Sequence, residues 1–241
     1  MNYIFDVDGT LTPSRQRINK EFHNFFLDFV KKFNVYLVTG SDYEKTLEQL
    51  GDDICNSVNC IFNCAGNTVM KNGKQTFANE WKLPDEARMF LENKLSESKF
   101  YNKTGRHIEE RPGMVNFSIV GRNCNLEDRA MYKQWDEHKE ERANISSEFR
   151  ELFNLEAQIA GETGIDIYPI GADKSQVVDW IQKPITFFGD KMQFGGNDYP
   201  LAAVLENHAD CRSIQVKDWK DTYRILWALK NASLHSIVGV V

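Results

Sequence analysis

Near its start the chain carries two carboxylates two residues apart: the apolar run Asn2 to Phe5 leads directly into Asp6-Val7-Asp8-Gly9-Thr10. A strand that ends in acids and a glycine exposes both side chains beside backbone amides freed by the turn, an unusual place to leave charge. Such a pair can bind a cation and attack phosphorus. Mg²⁺ takes oxygen ligands and bridges one or two carboxylates to a substrate phosphate, screening the repulsion between an attacking carboxylate and the phosphoryl oxygens. In that chemistry Asp6 is the nucleophile that forms an aspartyl-phosphate, and Asp8 moves a proton to or from the leaving or attacking hydroxyl. An acidic surface turn has the same local spelling, and only the rest of the chain distinguishes the two.

The elements that must hold this segment alternate. Phe22, Phe25, Phe26, Phe29 and Val30 recur at helical spacing and predict a helix over about 19–32, followed by a buried strand at Val35 to Val38. Ser41 with Glu44 has capping-box spacing, which predicts a second helix ending before Gly51, and Asn59 to Cys64 reads as a third strand. This alternation indicates an α/β layer with a largely parallel sheet. The middle differs. A hairpin signal at Asn72-Gly73 and a helix over Glu86 to Leu95 are followed by strands at His107 to Glu110 and Met114 to Val120. A long charged helix from about Leu126 to Arg142, read as a solvated face of mixed sign, precedes strands near Glu156 to Ala160 and Ile165 to Tyr168. That mixture points to a separate α+β unit. From Lys174 the first rhythm returns, with a helix, a strand at Ile185 to Phe188, a helix after Asn197, a strand near Arg212 to Val216 and a helix from about Trp219. The simplest organisation is a core domain in two parts, 1–80 and 174–241, with a second domain, 81–173, inserted between them. The apolar stretch Ser236 to Val241 docks on the core or is a free end.

Composition narrows the classes. Of 241 residues 41% are apolar and 27% charged, enough to bury a core, and no apolar run approaches the roughly 20 residues of a membrane-spanning helix. Without a secretory pattern at the amino terminus, a soluble cytoplasmic protein is expected. The net charge of -6 disfavours nucleic acid and anionic membrane as partners, so an anionic substrate needs a local basic pocket or a cation. Five cysteines are an odd, sparse set that argues for free thiols, and Cys55, Cys60 and Cys64 lack zinc spacing. The five histidines are scattered, with no nucleophile-base pattern among them.

Further segments resolve the ambiguity of the first. Phe5 to Thr12, FDVDGTLT, resembles the first motif of the haloacid dehalogenase superfamily, which transfers phosphoryl groups through an aspartyl-phosphate. Val38-Thr39-Gly40-Ser41 resembles its second motif, whose hydroxyl binds the phosphoryl group; Thr39 is favoured, with Ser41 the other candidate. Lys174 resembles the third-motif cation, and Phe188-Gly189-Asp190 with Gly195-Gly196-Asn197-Asp198 resembles the fourth. The resemblance implies a haloacid dehalogenase-like, Rossmann-type α/β core with an inserted α+β cap, and Mg²⁺ held by Asp6, Asp8, Asp190 and Asn197.

Within that superfamily, FDVDGTLTPSRQ at Phe5 to Gln16 and TFFGDKMQFGGND at Thr186 to Asp198 resemble the eukaryotic-type phosphomannomutases. The stretch Glu110 to Asn116, with Gly121-Arg122 and Arg129, resembles the part of the cap with which that family holds its sugar phosphate. Guanidinium groups grip a phosphate dianion with paired charge-assisted hydrogen bonds that lysine cannot reproduce. The resemblance implies Arg15 at the core-side entrance, Arg111, Met114 and Asn116 along the sugar, Arg122 and Arg129 on the distal phosphate, and Asp166 on sugar hydroxyls. It also implies a phosphosugar substrate, a hexose 1,6-bisphosphate activator and a homodimer through the cap. The chain departs from the family where a serine usually precedes the last aspartate by two residues; Gly164 stands there and removes a hydroxyl donor. The expected activity is interconversion of mannose 6-phosphate and mannose 1-phosphate, with the glucose isomers as further substrates. The alternative is a magnesium-dependent sugar-phosphate phosphatase of the same superfamily, in which water replaces the accepting hydroxyl.

Overall fold

The computed structural model describes residues 1–238, with side chains through residue 230. The reading of Ser236 to Val241 as a docked or free end rests on side chains, and from 239 on residues, outside those described.

The acids at the start of the chain leave the end of a central strand. Strand β1 (Asn2–Phe5) leads through the Asp6 to Thr12 turn to helix α1 (Lys20–Val30), whose free amides at Glu21 and Phe22 donate to the Asn19 side chain at 2.9 and 3.3 Å. Strand β2 (Asn34–Val38), helices α2 (Tyr43–Leu50) and α3 (Asp52–Ser57), and strand β3 (Cys60–Asn63) follow. The cap of α2 is Asp42, whose carboxylate accepts from Lys45 N at 2.8 Å, and not Ser41 as the spacing predicts. A single-residue shift in the cap frees the Ser41 hydroxyl. Strands β4 (Thr68–Lys71) and β5 (Lys74–Ala78) form a hairpin about Asn72 and Gly73, both at positive φ, which a two-residue turn of this kind requires.

Helix α4 (Asp85–Glu97), strands β6 (Ile108–Arg111) and β7 (Met114–Phe117), helices α5 (Leu126–Lys139) and α6 (Glu141–Leu152), and strands β8 (Leu155–Ala160) and β9 (Gly164–Pro169) make up the middle. The expected single helix to Arg142 is two helices, broken at Glu140 in the left-handed region with φ 52°. The break is stabilised by Asp136, which accepts from Arg142 N at 2.8 Å and pairs with Arg142 Nε at 2.7 Å, so these charges are buried and not on a solvated face. The chain then enters a 3₁₀ segment, Lys174–Trp180, where a helix is expected, followed by β10 (Ile185–Gly189), α7 (Tyr199–Glu206), β11 (Arg212–Gln215) and α8 (Trp219–Val238).

Two sheets result. The larger has the order β11-β10-β1-β2-β3-β4-β5, parallel through β3 and closed by the antiparallel hairpin. Alternation sorts its side chains: Phe5, Leu37 and Phe188 face α1 and α8, while Ile4, Val38 and Phe187 face the 3₁₀ segment and α7. Both faces of the parallel strands are therefore covered, as a parallel sheet demands. The smaller sheet is antiparallel in the order β6-β7-β9-β8. Val115, Phe117, Ile165 and Ile167 turn one face onto α4, α5 and α6, which leaves Asn116 and Asp166, paired in register, on the other. No helix among the described residues is long and apolar enough to cross a membrane.

Candidate active site

In-register pairing brings the first acids together with later ones. Phe5 pairs with Phe188 on one side and Leu37 on the other, so Asp6, Asp190 and Thr39 all leave carboxyl ends of adjacent strands. The chain reverses its strand order between β1 and β10, and the crevice at such a switch point is where open α/β sheets bind ligands. Gly9, at φ 88°, lets the turn pass over the Asp190 carboxylate, where a Cβ would collide with it.

Lys174 lies beneath this crevice, wholly buried, with Nζ 2.6 Å from Asp6 Oδ1 and 2.7 Å from Asp198 Oδ1. Burial favours its neutral amine, but Asp198 and Asp6 outweigh that and hold the ammonium above its ordinary range. Burial raises the Asp6 carboxyl well above the usual carboxylate range; Lys174 opposes this, while Asp198 and Asp190 reinforce it. Asp190 is likewise raised, first by burial. The group is short of positive charge: Asp6, Asp190 and Asp198 offer oxygens within 4.8 Å of one another around one ammonium. An all-oxygen donor set with this deficit fits a divalent metal ion.

Asp8, expected among the metal ligands, turns away from that group. Its Oδ1 accepts from Arg15 N at 2.6 Å and from Gln49 Nε2 at 3.0 Å, and its Oδ2 from Ser41 Oγ at 3.4 Å. Thr39 Oγ1 accepts from Ser41 N at 3.1 Å, which leaves the Thr39 hydroxyl proton free for the crevice while that of Ser41 is directed at Asp8. Asp198 is the residue the sequence reading left unassigned, although its place after Gly195-Gly196-Asn197 was the available signal.

The smaller sheet forms the other wall. One cavity, open on one side to solvent, is lined on the core side by Asp6, Asp8, Arg15, Thr39, Ser41, Asp190 and Asn197. Arg111, Asn116, Arg122, Arg129 and Asp166 line it from the other side. Arg111 reaches across to the Gly40 carbonyl and donates to Glu109 Oε2 at 2.7 Å, the same oxygen that takes Arg122 Nε at 2.5 Å. Asn116 Nδ2 donates to Asp166 Oδ1 at 2.7 Å and Asn116 Oδ1 accepts from Arg122 NH1 at 3.3 Å. Burial raises the Asp166 carboxyl, opposed chiefly by Arg111, and burial pulls Arg122 below its ordinary range. Arg129 NH2 pairs with Glu162 Oε2 at 3.1 Å and NH1 donates to Thr163 Oγ1 at 3.4 Å. Nothing in the sequence marks Glu109, Glu162 or Thr163. Met114 does not line the cavity: it shares the face of Asn116 but lies two residues back along β7, fully buried against Cys64 and Tyr168. At Gly164 a Cβ would lie 2.6 Å from Asn116 Nδ2, so a larger residue there requires Asn116 to move.

A model of eukaryotic phosphomannomutases matches residues 22–231. The chain belongs to the eukaryotic phosphomannomutase family. It is 33% identical over 242 residues to the phosphomannomutase of Saccharomyces cerevisiae, covering 95% of this chain and 93% of that one. Against the phosphomannomutase of Drosophila melanogaster identity is 37%, over 92% of each chain. Solved structures share the haloacid dehalogenase fold that phosphomannomutases of this family are expected to have. An IMP-bound IMP-nucleotidase of Plasmodium falciparum superposes with a TM-score of 0.62 at 17% identity, covering 95% of this chain and 68% of the other. A trehalose-6-phosphate phosphatase related protein gives 0.59 at 16% identity, over 98% and 100%. At those identities the likeness is one of fold.

Proposed function

We propose that this phosphomannomutase family member interconverts mannose 6-phosphate and mannose 1-phosphate, with a hexose 1,6-bisphosphate as activator and turnover intermediate. The observation that carries this reading is a single cavity with Asp6, backed by the buried Lys174–Asp198 pair, at one wall and three arginines at the other. A phosphosugar has one end to react and one end to be held, and a mutase must accept either end in either place.

Asp6 Oδ1 carries the Lys174 contact, leaving Oδ2 to attack phosphorus. As the oxygen-phosphorus bond to Asp6 forms, the bond to the sugar oxygen breaks and Asp8 donates a proton to the departing hydroxyl. When a hexose monophosphate then presents its free hydroxyl to phospho-Asp6, Asp8 takes that hydroxyl's proton as the new oxygen-phosphorus bond forms and the bond from phosphorus to Asp6 breaks; the bisphosphate so formed turns around and gives its other phosphoryl group to Asp6. Thr39 and Lys174 stabilise phosphoryl charge, and Arg122 with Arg129 holds the distal phosphate while Asn116, Asp166, Arg111 and Arg15 orient the sugar. Mg²⁺ is the metal we assign to Asp6, Asp190 and Asp198 with Asn197 beside them; when bound it supplies charge neutralisation. Residues 81–173 act as the cap that excludes water. Free thiols support a reducing, cytoplasmic compartment, and the exposed Leu126 and Tyr101 of the cap offer apolar surface for a homodimer.

The test is one assay. Mannose 1-phosphate with Mg²⁺ and a catalytic amount of hexose 1,6-bisphosphate yields mannose 6-phosphate without inorganic phosphate. Phosphate release without the isomer contradicts the mutase reading and identifies a phosphatase.

A further inference from the structure

Gln49 is a buried amide that the reaction outlined above does not yet use. It lies on α2 with a relative exposure of 1%, and its Nε2 donates to Asp8 Oδ1 at 3.0 Å and to Thr12 Oγ1 at 3.1 Å. Its Oε1 has no hydrogen-bond partner. Buried amides normally satisfy both ends, and an orphaned acceptor costs about 1–3 kcal/mol. The fold tolerates that cost at the one amide aimed at Asp8. From the opposite side Asp8 Oδ1 takes the Arg15 backbone N–H at 2.6 Å, from a residue whose φ of 58° turns it there. Two donors thus fix Oδ1 and direct Oδ2 toward Ser41 and the cavity. With Gln49 removed, one backbone donor is left and the carboxylate regains its broad χ2 freedom.

We infer that Gln49 is a positioning residue for proton transfer by Asp8, an inference that rests on the acid/base reading of Asp8. The chemistry makes it separable from a structural role. A departing sugar hydroxyl needs a proton as its bond to phosphorus breaks, whereas p-nitrophenolate leaves as a stable anion and needs none. Misplacing Asp8 therefore slows turnover of a phosphosugar and spares transfer from an aryl phosphate to Asp6.

The experiment compares two rates in the Mg²⁺-loaded protein: primed conversion of mannose 1-phosphate, and the rapid-mixing burst of p-nitrophenolate from p-nitrophenyl phosphate. For Gln49→Leu the expected result is a fall of about tenfold to a hundredfold in kcat for the phosphosugar, with its KM and the burst rate constant unchanged. Thr12→Val, which removes the second acceptor holding the amide, gives a smaller loss of the same pattern and decides the matter if Gln49→Leu does not fold. Equal losses in both rates, or no loss, overturn the inference. Asp8→Asn separates the two levels: if it too lacks the selective loss, the acid/base reading itself fails. If Asp8→Asn shows the selective loss and the Gln49 and Thr12 variants do not, only the role of Gln49 fails.

Discussion

Lys174 illustrates how much one buried side chain settles. Its ammonium is the cation between Asp6 and Asp198, and removing one partner of a buried pair leaves the other charge without compensation. Lys174→Met is expected to destabilise the metal-free protein by about 3–5 kcal/mol in urea denaturation, and an unchanged midpoint contradicts the arrangement. Glu109 plays the corresponding part on the other wall, where one oxygen takes both Arg111 and Arg122. Glu109→Gln is expected to raise KM for the phosphosugar about tenfold, the scale of a charge-assisted hydrogen bond, without changing the p-nitrophenolate burst. Equal effects on both substrates contradict it. Asp6 and Asp8 were legible because motif and strand end coincide, and Lys174 through its resemblance to the third motif at the start of a helical segment. Glu109 was not, because a glutamate in a short strand has no spelling of its own, and only the register of β6 with β7 shows which way it faces.

Elements were legible where periodicity is strong and obscure where a side chain overrides it. The five phenylalanine-and-valine positions of α1 and the Asn72-Gly73 turn came directly from spacing. The break between α5 and α6 did not, since Glu140 carries none of the glycine or asparagine that usually marks a left-handed residue. Its conformation is held by Asp136 and Arg142, which are distant in pattern and close in space. Glu140→Gly relieves the left-handed backbone, and the expected gain is about 0.5–1 kcal/mol, read as a higher urea midpoint; a lower midpoint contradicts the assignment. The same limit explains Met114: alternation sets it on the face of Asn116, as its family-like neighbours implied, but packing against Cys64 and Tyr168 keeps it out of the cavity.

Across the whole molecule, Asn67 ties together the two points where the chain passes between sheets. Its side chain donates to the Ala172 carbonyl at 2.9 Å and accepts from Asn79 Nδ2 at 2.8 Å, and Gly113 of the β6–β7 turn lies against it. Asn67→Ala is expected to enlarge the radius of gyration in small-angle scattering and to slow the primed mutase reaction; an unchanged radius contradicts a clamp at the crossing. Stability should also depend on alkaline pH. Burial pushes Cys55 up to about 12 and Cys60 and Cys64 to about 11, from 9.0. Folded values above unfolded ones mean that the stabilisation is complete below about pH 9 and is lost as pH rises through 11 to 12, so the urea midpoint should fall over that window and not below it. The two-sheet plan was legible from the change of rhythm along the chain, but the closeness of the arginine wall to Asp6 was not, because it depends on packing between units that no local pattern encodes. That closeness is what makes capture of a phosphosugar on Asp6 the central claim. Rapid quench of the Mg²⁺-loaded protein with ³²P-labelled hexose 1,6-bisphosphate, followed by peptide mapping, should find acid-stable, base-labile label on Asp6 and none in Asp6→Asn. Turnover without label, or label that persists in Asp6→Asn, would contradict it.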